Sequence, residues 1–187
     1  KTNPEAYALF LEARNLYRQH THQGIDQSIA LYQQALAIDP SYAPAWNGLA
    51  EQYIEQAFLG SGPRSADEGY RLAREAANKA LAINPEYALP HANLSQIAKQ
   101  YDDDLAASVG HMEQALALDP ADLYTLRQAA ILYLSLGRLN TAIEVMEYVV
   151  ARDPMDPVSH GDLGWLYMIA GRLDEAIASC RTSLKLS

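Results

Sequence analysis

The stretch Ala35-Leu36-Ala37-Ile38-Asp39-Pro40 recurs in altered form at residues 80–85, 115–120 and 149–154, each time ending in proline. The steps between the four prolines are 45, 35 and 34 residues. A unit that returns at such intervals indicates a repeat array, in which each unit packs on its neighbours. Such arrays build long surfaces and rarely build a catalytic pocket.

Each unit holds the pattern of two helices. In the fourth unit, Leu126, Ala130 and Tyr133 recur at helical spacing and are followed by Gly137. Glycine permits the left-handed conformation that ends a helix, and Pro154 follows the second helix because proline cannot continue one. The predicted helices span approximately residues 5–19, 25–38, 42–58, 65–83, 87–100, 104–118, 121–136, 139–152, 155–170 and 173–186.

The chain is expected to form one array of five units. Their approximate bounds are residues 5–40, 41–85, 86–120, 121–154 and 155–187. The second unit carries about eleven extra residues around Gly60-Ser61-Gly62-Pro63, which predicts a loop or a lengthened helix pair. The first unit carries about three extra residues near 21–24, read as a loop. The last helix reaches Ser187, where the next proline would be due, so we expect a fragment of a longer protein.

The composition favours helix and narrows the choice of partners. The 187 residues are 49% hydrophobic and carry 14 basic and 23 acidic side chains, for a net charge of −9. This balance argues against nonspecific nucleic-acid binding, which needs a basic field. No apolar run approaches the roughly 18 residues of a membrane span. The net charge suits a soluble domain. The single cysteine allows no internal disulfide, so the compartment, cytoplasmic or periplasmic, stays open.

The residues at helical spacing also carry a family resemblance. Trp46-x-x-Leu49-Ala50-x-x-Tyr53 and His160-x-x-Leu163-Gly164-x-x-Tyr167 resemble the signature of the tetratricopeptide repeat, a helix–turn–helix unit of 34 residues. The resemblance implies an all-α, right-handed α-α superhelix (a TPR solenoid) of about five repeats. It also implies a protein–protein interaction module with no catalytic residue, cofactor or metal, which binds a peptide or protein segment in its concave groove.

In this repeat class the first helix of each unit lines the groove, and its residues outside the packing pattern are candidate contacts. These candidates are Tyr7, Phe10, Arg14, Tyr17, Asn47, Glu51, Lys99, Tyr124, Arg127, Ile131, Leu134, Trp165, Met168 and Ile169. The apolar members in units four and five are either a binding patch or a packing surface for a neighbouring repeat. Arg14, Arg18, Lys99 and Arg127 would suit an acidic partner.

A chaperone-type carboxylate clamp is not expected. Such a clamp resembles a set of lysine and asparagine residues on three successive units. The corresponding positions here read Phe10, Arg14, Asn47, Leu89 and Asn93, which is only a fragment of that set.

Other chemical signals have simple structural interpretations. His20-x-His22 lies in a polar loop without a third ligand in sequence. Asp102-Asp103-Asp104 lacks the glycine and closing glutamate of a calcium loop and is expected to cap the next helix. Gly60-x-Gly62 lacks the Gly-Lys-Ser/Thr of a phosphate loop. His91 and His160 occupy the tryptophan position of their repeats, and Cys180 is expected to be buried.

Several hypotheses about the larger protein stay open. The stretch from Ala6 to Trp46 resembles the repeat region of bacterial winged-helix transcriptional activators of the CadC or HilA type, and of some bacterial adenylate cyclases. That resemblance implies a regulatory or sensory domain of a signalling protein. Alternatives are the substrate-recruiting arm of a glycosyltransferase, in which asparagines line the groove, and self-association (a homo-oligomer) through the terminal repeats.

Overall fold

The chain folds into helices only, over the part that the structure describes. The computed structural model describes residues 3–17, 21–60 and 64–187, and these ranges hold ten α-helices and no strand. The helices are α1 (Pro4–Tyr17), α2 (His22–Ile38), α3 (Ala43–Leu59), α4 (Ala66–Ile83), α5 (Ala88–Gln100), α6 (Leu105–Leu118), α7 (Leu123–Ser135), α8 (Leu139–Arg152), α9 (Pro157–Ile169) and α10 (Leu173–Leu186). The all-α prediction is confirmed.

The helix ends follow the local chemistry of the chain. Gly137 and Gly171 have φ angles of 73° and 74° just after α7 and α9, as the repeat pattern predicted. Asp122 caps α7 by accepting a hydrogen bond of 2.7 Å from the Thr125 amide. Asp104 accepts one of 2.9 Å from the Ala107 amide, which confirms its predicted capping role before α6. Each cap satisfies a backbone donor that the first helical turn leaves free.

The first repeat, residues 5–40, differs from the prediction at the start of its second helix. Residues 21–24 were expected to form a loop, but α2 already begins at His22. The reason is the Thr21 side chain, which accepts a hydrogen bond of 3.0 Å from the Gly24 amide and thereby caps the helix. Residues 18–20, with the predicted Arg18 and His20, lie outside the described residues.

The insertion in the second repeat, residues 41–85, lengthens its helix pair. Helices α3 and α4 have 17 and 18 residues, against 13 and 14 in α7 and α8. Gly60 ends α3 with a left-handed φ of 60°. The rest of the predicted loop, residues 61–63, lies outside the described part. The expectation of a lengthened pair is therefore confirmed.

On a larger scale than the repeats, the chain divides into two compact units. From here on, the first unit is Lys1–Leu118, with α1 to α6, and the second unit is Asp119–Ser187, with α7 to α10. In the first unit, helices α1 to α6 pack as successive pairs around a core in which Tyr32 is 1% exposed. Gly48 gives room for that ring, because a Cβ at this position would lie 2.4 Å from Tyr32 Cζ. The small residue thus lets the α3 backbone approach the large side chain of α2.

In the second unit, α7 to α10 enclose a core that includes Met146 and Leu166, both at 0% exposure. Tyr167 bridges α9 to α8 by donating a 2.7 Å hydrogen bond to Glu147 Oε1. Burial, together with this bond and the nearby carboxylate charge, raises the pKa of Tyr167 to about 12. Its hydroxyl therefore stays protonated and serves as a structural donor.

Cys180 departs from its predicted burial. A Cβ on Gly164 would lie 2.6 Å from Cys180 Sγ, so the two residues do mark the close crossing of α9 and α10. The cysteine is nevertheless exposed. The equivalent Met146 of α8 is buried because α9 packs over it, whereas no described helix follows α10.

Candidate functional site

In the first compact unit, α1, α3 and α5 are the first helices of their repeats. They are neighbours, since α3 contacts both α1 and α5. Their candidate contact residues fall into an aromatic end on α1 and a polar row on α3 and α5. Tyr17 closes α1, and its side chain lies outside the described part of the chain.

At the aromatic end, Phe10 is only 9% exposed. Its ring centroid lies 5.1 Å from that of Tyr42 in an edge-to-face arrangement and 5.9 Å from that of Tyr32. Phe10 is thus a core residue, not a surface contact. Tyr7 stays 48% exposed beside it, and the Arg14 guanidinium lies 5.7 Å from the Phe10 centroid.

Asn47 is also buried, at 2% exposure, as is Asn93 at 0%. Asn93 donates to Asn47 Oδ1 at 2.9 Å, and Asn47 donates to Glu51 Oε1 at 2.7 Å. These amides join α5 to α3 and are not available to a ligand on the surface. Glu51 and Lys99 are half-buried and remain predicted contacts.

The second unit presents a different surface on its first helices. Arg127 on α7 forms an ion pair of 3.0 Å with Asp162 on α9, and both side chains are largely buried. The Arg127 guanidinium also lies 5.5 Å from the Tyr124 ring centroid. The pair links the side of α7 that carries Arg127 to the side of α9 that carries Asp162.

The positive charge of Arg127 also lowers the pKa of a second carboxyl group, that of Asp156. Burial raises the pKa of Asp156, but hydrogen bonds from Ser159 and the Val158 amide, with the positive charge of Arg127, outweigh this and hold the pKa below its usual value. Asp156 is therefore ionised and caps α9, which fixes the start of the helix that presents the exposed side chains.

The apolar candidates of this unit lie along the same faces. Ile131 and Leu134 on α7 are half-buried against the core. Trp165, Met168 and Ile169 on α9 are 42%, 55% and 44% exposed. We define the α7/α9 surface by its seven predicted residues: Tyr124, Arg127, Ile131, Leu134, Trp165, Met168 and Ile169.

The sequence pattern did not indicate a cavity that lies in the first unit. A cleft of about 360 Å³ lies between α2, α3 and α4, lined in part by Gln33, Trp46, Leu49, Tyr53 and Lys79. Lys79 Nζ lies 4.2 Å from the Trp46 ring centroid, and Gln33 donates to the Tyr53 hydroxyl at 3.0 Å. The repeat pattern assigns Trp46 and Tyr53 to packing alone. No short-range sequence signal joins them to residues 33 and 79.

The repeat position of tryptophan keeps a structural role where histidine replaces it. Trp46 Nε1 donates to the Pro40 carbonyl at 2.9 Å, and His160 Nε2 bonds the Pro154 carbonyl at 3.1 Å. Both side chains reach back six residues to the proline that ends the preceding helix. His91 instead bonds His111, with 3.4 Å between the two Nδ1 atoms.

Metal-binding and membrane-spanning features are absent from the described ranges. In those ranges, no three side chains of the metal-binding types His, Cys, Asp and Glu lie close enough to share an ion. Among the same residues, none of the helices combines the length and apolar character that a bilayer crossing requires.

Comparisons with known proteins follow the repeat pattern. Residues 127–187 match the family model of the tetratricopeptide repeat. No curated protein matches the chain significantly. The chain is 22% identical to TTC0263, a TPR protein of Thermus thermophilus, with a TM-score of 0.75 over 97% of this chain and 91% of that chain.

Two further solved structures share the fold. PilW, a type IV pilus biogenesis factor, is 23% identical, with a TM-score of 0.65 over 98% of this chain and 78% of that one. YrrB, described as a TPR protein with an unusual peptide-binding site, is 18% identical, with a TM-score of 0.52 over 96% of this chain and 84% of that one.

Together these findings define a helical repeat protein. Its fold is that of tetratricopeptide-repeat proteins, and residues 127–187 carry the sequence pattern of that family.

Proposed function

We propose that this protein is a non-catalytic interaction module that binds a peptide or protein segment on the α7/α9 surface. The observation that carries the proposal is the exposure of Trp165, Met168 and Ile169 side by side on α9. Exposed apolar clusters on soluble proteins mark binding sites, and tryptophan is among the residues that contribute most to binding.

The surface is also held in place before any partner arrives. The Arg127–Asp162 ion pair joins α7 to α9, and the ionised Asp156 fixes the first turn of α9. A rigid surface loses little entropy when it binds, so more of the contact energy remains as affinity. Such a surface suits a helix or extended segment with apolar side chains spaced along one face.

The description of YrrB, a fold relative with a peptide-binding site, is consistent with this ligand class.

A separate contact for an acidic segment is proposed outside the α7/α9 surface. Arg14 in the first unit is exposed, and an acidic segment would be attracted to it. We expect affinity for acidic peptides to fall as salt rises, because exposed charges are screened.

The test begins with peptides selected against the whole chain from a random display library. The affinity of a selected peptide is then measured by calorimetry for the parent chain and for Trp165→Ala and Met168→Ala. Both variants are expected to bind at least ~10-fold more weakly, which corresponds to a loss of about 1.4 kcal/mol.

A matched control separates this surface from general apolar exposure. Met155 is 69% exposed on the connection between α8 and α9 and does not belong to the α7/α9 surface. Met155→Ala is expected to bind the peptide normally. Equal affinity of Trp165→Ala, Met168→Ala and the parent chain would refute this binding surface.

We also propose a regulatory or sensory role within a larger bacterial signalling protein. This proposal is supported only by the resemblance of residues 6–46 to the repeat regions of winged-helix activators and adenylate cyclases. A test is to fuse the chain to a heterologous DNA-binding domain and to measure whether a selected peptide changes reporter output. Output that is indifferent to the peptide would count against it.

The glycosyltransferase alternative gains no support from the fold. That function would require asparagine side chains presented along the groove, and Asn47 and Asn93 instead bond each other inside the first unit.

A further inference from the structure

Helix α10 carries an exposed apolar stripe. Leu173, Ile177, Cys180 and Leu184 follow one another at intervals of four, three and four residues. Leu173, Ile177 and Leu184 are 61%, 50% and 79% exposed, and Cys180 is exposed as well. This alternation is the heptad spacing at which one helix packs its side chains between those of another.

The same positions are covered one repeat earlier. On α8, 34 residues before the stripe, stand Leu139, Ile143, Met146 and Val150. Ile143 is 4% and Met146 0% exposed, and both belong to the core of the second compact unit, against which the partly buried Leu139 and Val150 pack. By analogy with α8, we expect a further helix to pack on the α10 stripe.

The charges beside the stripe bear on which helix packs there. In the heptad frame that places the stripe at a and d, Asp174 and Arg181 both occupy the e position, and both are exposed. The opposite flank faces α9, since Ala176 is 7% exposed and Ser183 donates to the Pro157 carbonyl at 2.7 Å. The free flank thus carries an acid near the start of α10 and a base near its end.

We propose that the α10 stripe is the contact surface for a second copy of this chain, whose own α10 runs antiparallel. A two-fold axis through the middle of the stripe places Leu173 opposite Leu184 and Ile177 opposite Cys180. In an antiparallel pair the e positions of the two helices face each other, so Asp174 of each copy meets Arg181 of the other. One surface then complements itself, as a two-fold interface requires.

The parallel arrangement lacks this match. There the e position faces the g position of the other helix, and the g positions of α10 are Ala176 and Ser183, which carry no charge. The antiparallel direction also sets the positive end of each helix dipole beside the negative end of the other. For a pair of α10 helices, the charges therefore favour the antiparallel direction.

The contact is short, since the stripe spans only four side chains. Interfaces of this size belong to the weak class, so the dimer is expected to form in the micromolar range and above. The first measurement is sedimentation velocity of the whole chain from about 1 μM to about 1 mM. A monomer at the low end that shifts to twice the mass at the high end is expected.

Two variants place the contact. Leu184→Glu is expected to weaken association at least ~10-fold. Its fold should be unaffected because the side chain is 79% exposed in the monomer. Leu11→Glu is the matched control, since Leu11 is 44% exposed on α1 in the other unit. It is expected to dimerise like the parent chain.

A charge exchange tests the direction. Asp174→Arg places like charges together at two symmetric positions and is expected to weaken the dimer about 3- to 10-fold. Asp174→Arg combined with Arg181→Asp restores opposite charges and is expected to recover the parent affinity within about 2-fold. Failure of the double variant to recover would overturn the antiparallel pairing.

Cys180 supplies an independent readout, because it is the only cysteine and lies on the stripe. A short bismaleimide should link two copies through it in the parent chain and not in Leu184→Glu. A chain that stays monomeric over the whole concentration range, or a dimer unaffected by Leu184→Glu, overturns the proposal. The test is independent of the α7/α9 surface, since peptide binding can fail while association persists, and the reverse.

Discussion

Asn93 donates a hydrogen bond of 2.9 Å to the side-chain oxygen of Asn47, 46 residues away, and both side chains are buried. Asn93→Ala removes this donor and leaves the Asn47 oxygen without it inside the first unit. A buried acceptor that loses its partner costs about 1–3 kcal/mol, so the free energy of unfolding is expected to fall by that amount. Urea denaturation monitored by circular dichroism measures it.

The control for this experiment is Asn78→Ala, because Asn78 is exposed on α4. It is expected to change stability by less than about 0.5 kcal/mol. Equal effects of the two substitutions would show that the amide pair contributes nothing specific to the packing of α5 on α3.

The helix crossing at Gly164 gives a second prediction. A Cβ there would lie 2.6 Å from Cys180 Sγ and 3.2 Å from the Ala176 carbonyl oxygen. Gly164→Ala therefore forces α9 and α10 apart and is expected to lower the free energy of unfolding by about 1–3 kcal/mol. Adding Cys180→Ala removes the nearest atom and should recover part of the loss. Full stability of Gly164→Ala would show that the crossing is loose.

Gly110 supplies the opposite case within the same chain. It lies inside α6, and nothing within 4 Å would meet an added Cβ. Gly110→Ala is expected to raise the free energy of unfolding by about 0.5–1 kcal/mol, because alanine loses less conformational freedom on entering a helix. Thermal and urea denaturation of the two glycine variants, measured together, give effects of opposite sign.

These glycines also show what local sequence information determines. Gly137 and Gly171 are recognisable as helix ends because a left-handed residue is a local requirement, and both have positive φ angles. Helix pairs and their order follow likewise from hydrophobic spacing within about 15 residues. The fold was predictable because almost every constraint on it lies within one repeat.

The surface was less predictable because burial depends on neighbours from other repeats. Phe10 looked like a contact residue, yet Tyr32 and Tyr42 enclose its ring. Cys180 looked like a core residue, yet no described helix covers it. The cleft beside Trp46 needs Lys79 from another helix. Periodicity assigns a residue to a face, but it does not say what lies opposite that face.

The pair His91 and His111 predicts a pH dependence. Burial lowers the pKa of both imidazoles, and positive charge on His111 lowers that of His91 further, as Arg74 does for His111. The unfolded chain therefore binds more protons than the folded chain as pH falls below the ordinary value of about 6.5. This contribution to stability is complete well above that value, and it is expected to be lost as pH falls through about 6.5 and on through the lower pKa values of the two folded imidazoles.

Substitution assigns this decline to the pair. His91→Gln removes one of the two groups and should give a shallower decline, measured by urea denaturation at several pH values. His22→Gln, at an exposed position in the first turn of α2, is the control and should keep the parent slope. An unchanged slope in His91→Gln would remove the histidine pair as the cause.

The ion pair between Arg127 and Asp162 is expected to stabilise both the second unit and its surface. Since both side chains are largely buried and 3.0 Å apart, Arg127→Met should cost about 1–2 kcal/mol in the free energy of unfolding. A double-mutant cycle with Asp162→Asn isolates the pair, and we expect a coupling energy of about 1 kcal/mol. Because the pair joins α7 to α9, peptide affinity should fall in Arg127→Met even though the apolar contacts remain. A coupling near zero would mean that the two helices are held together by their apolar core alone.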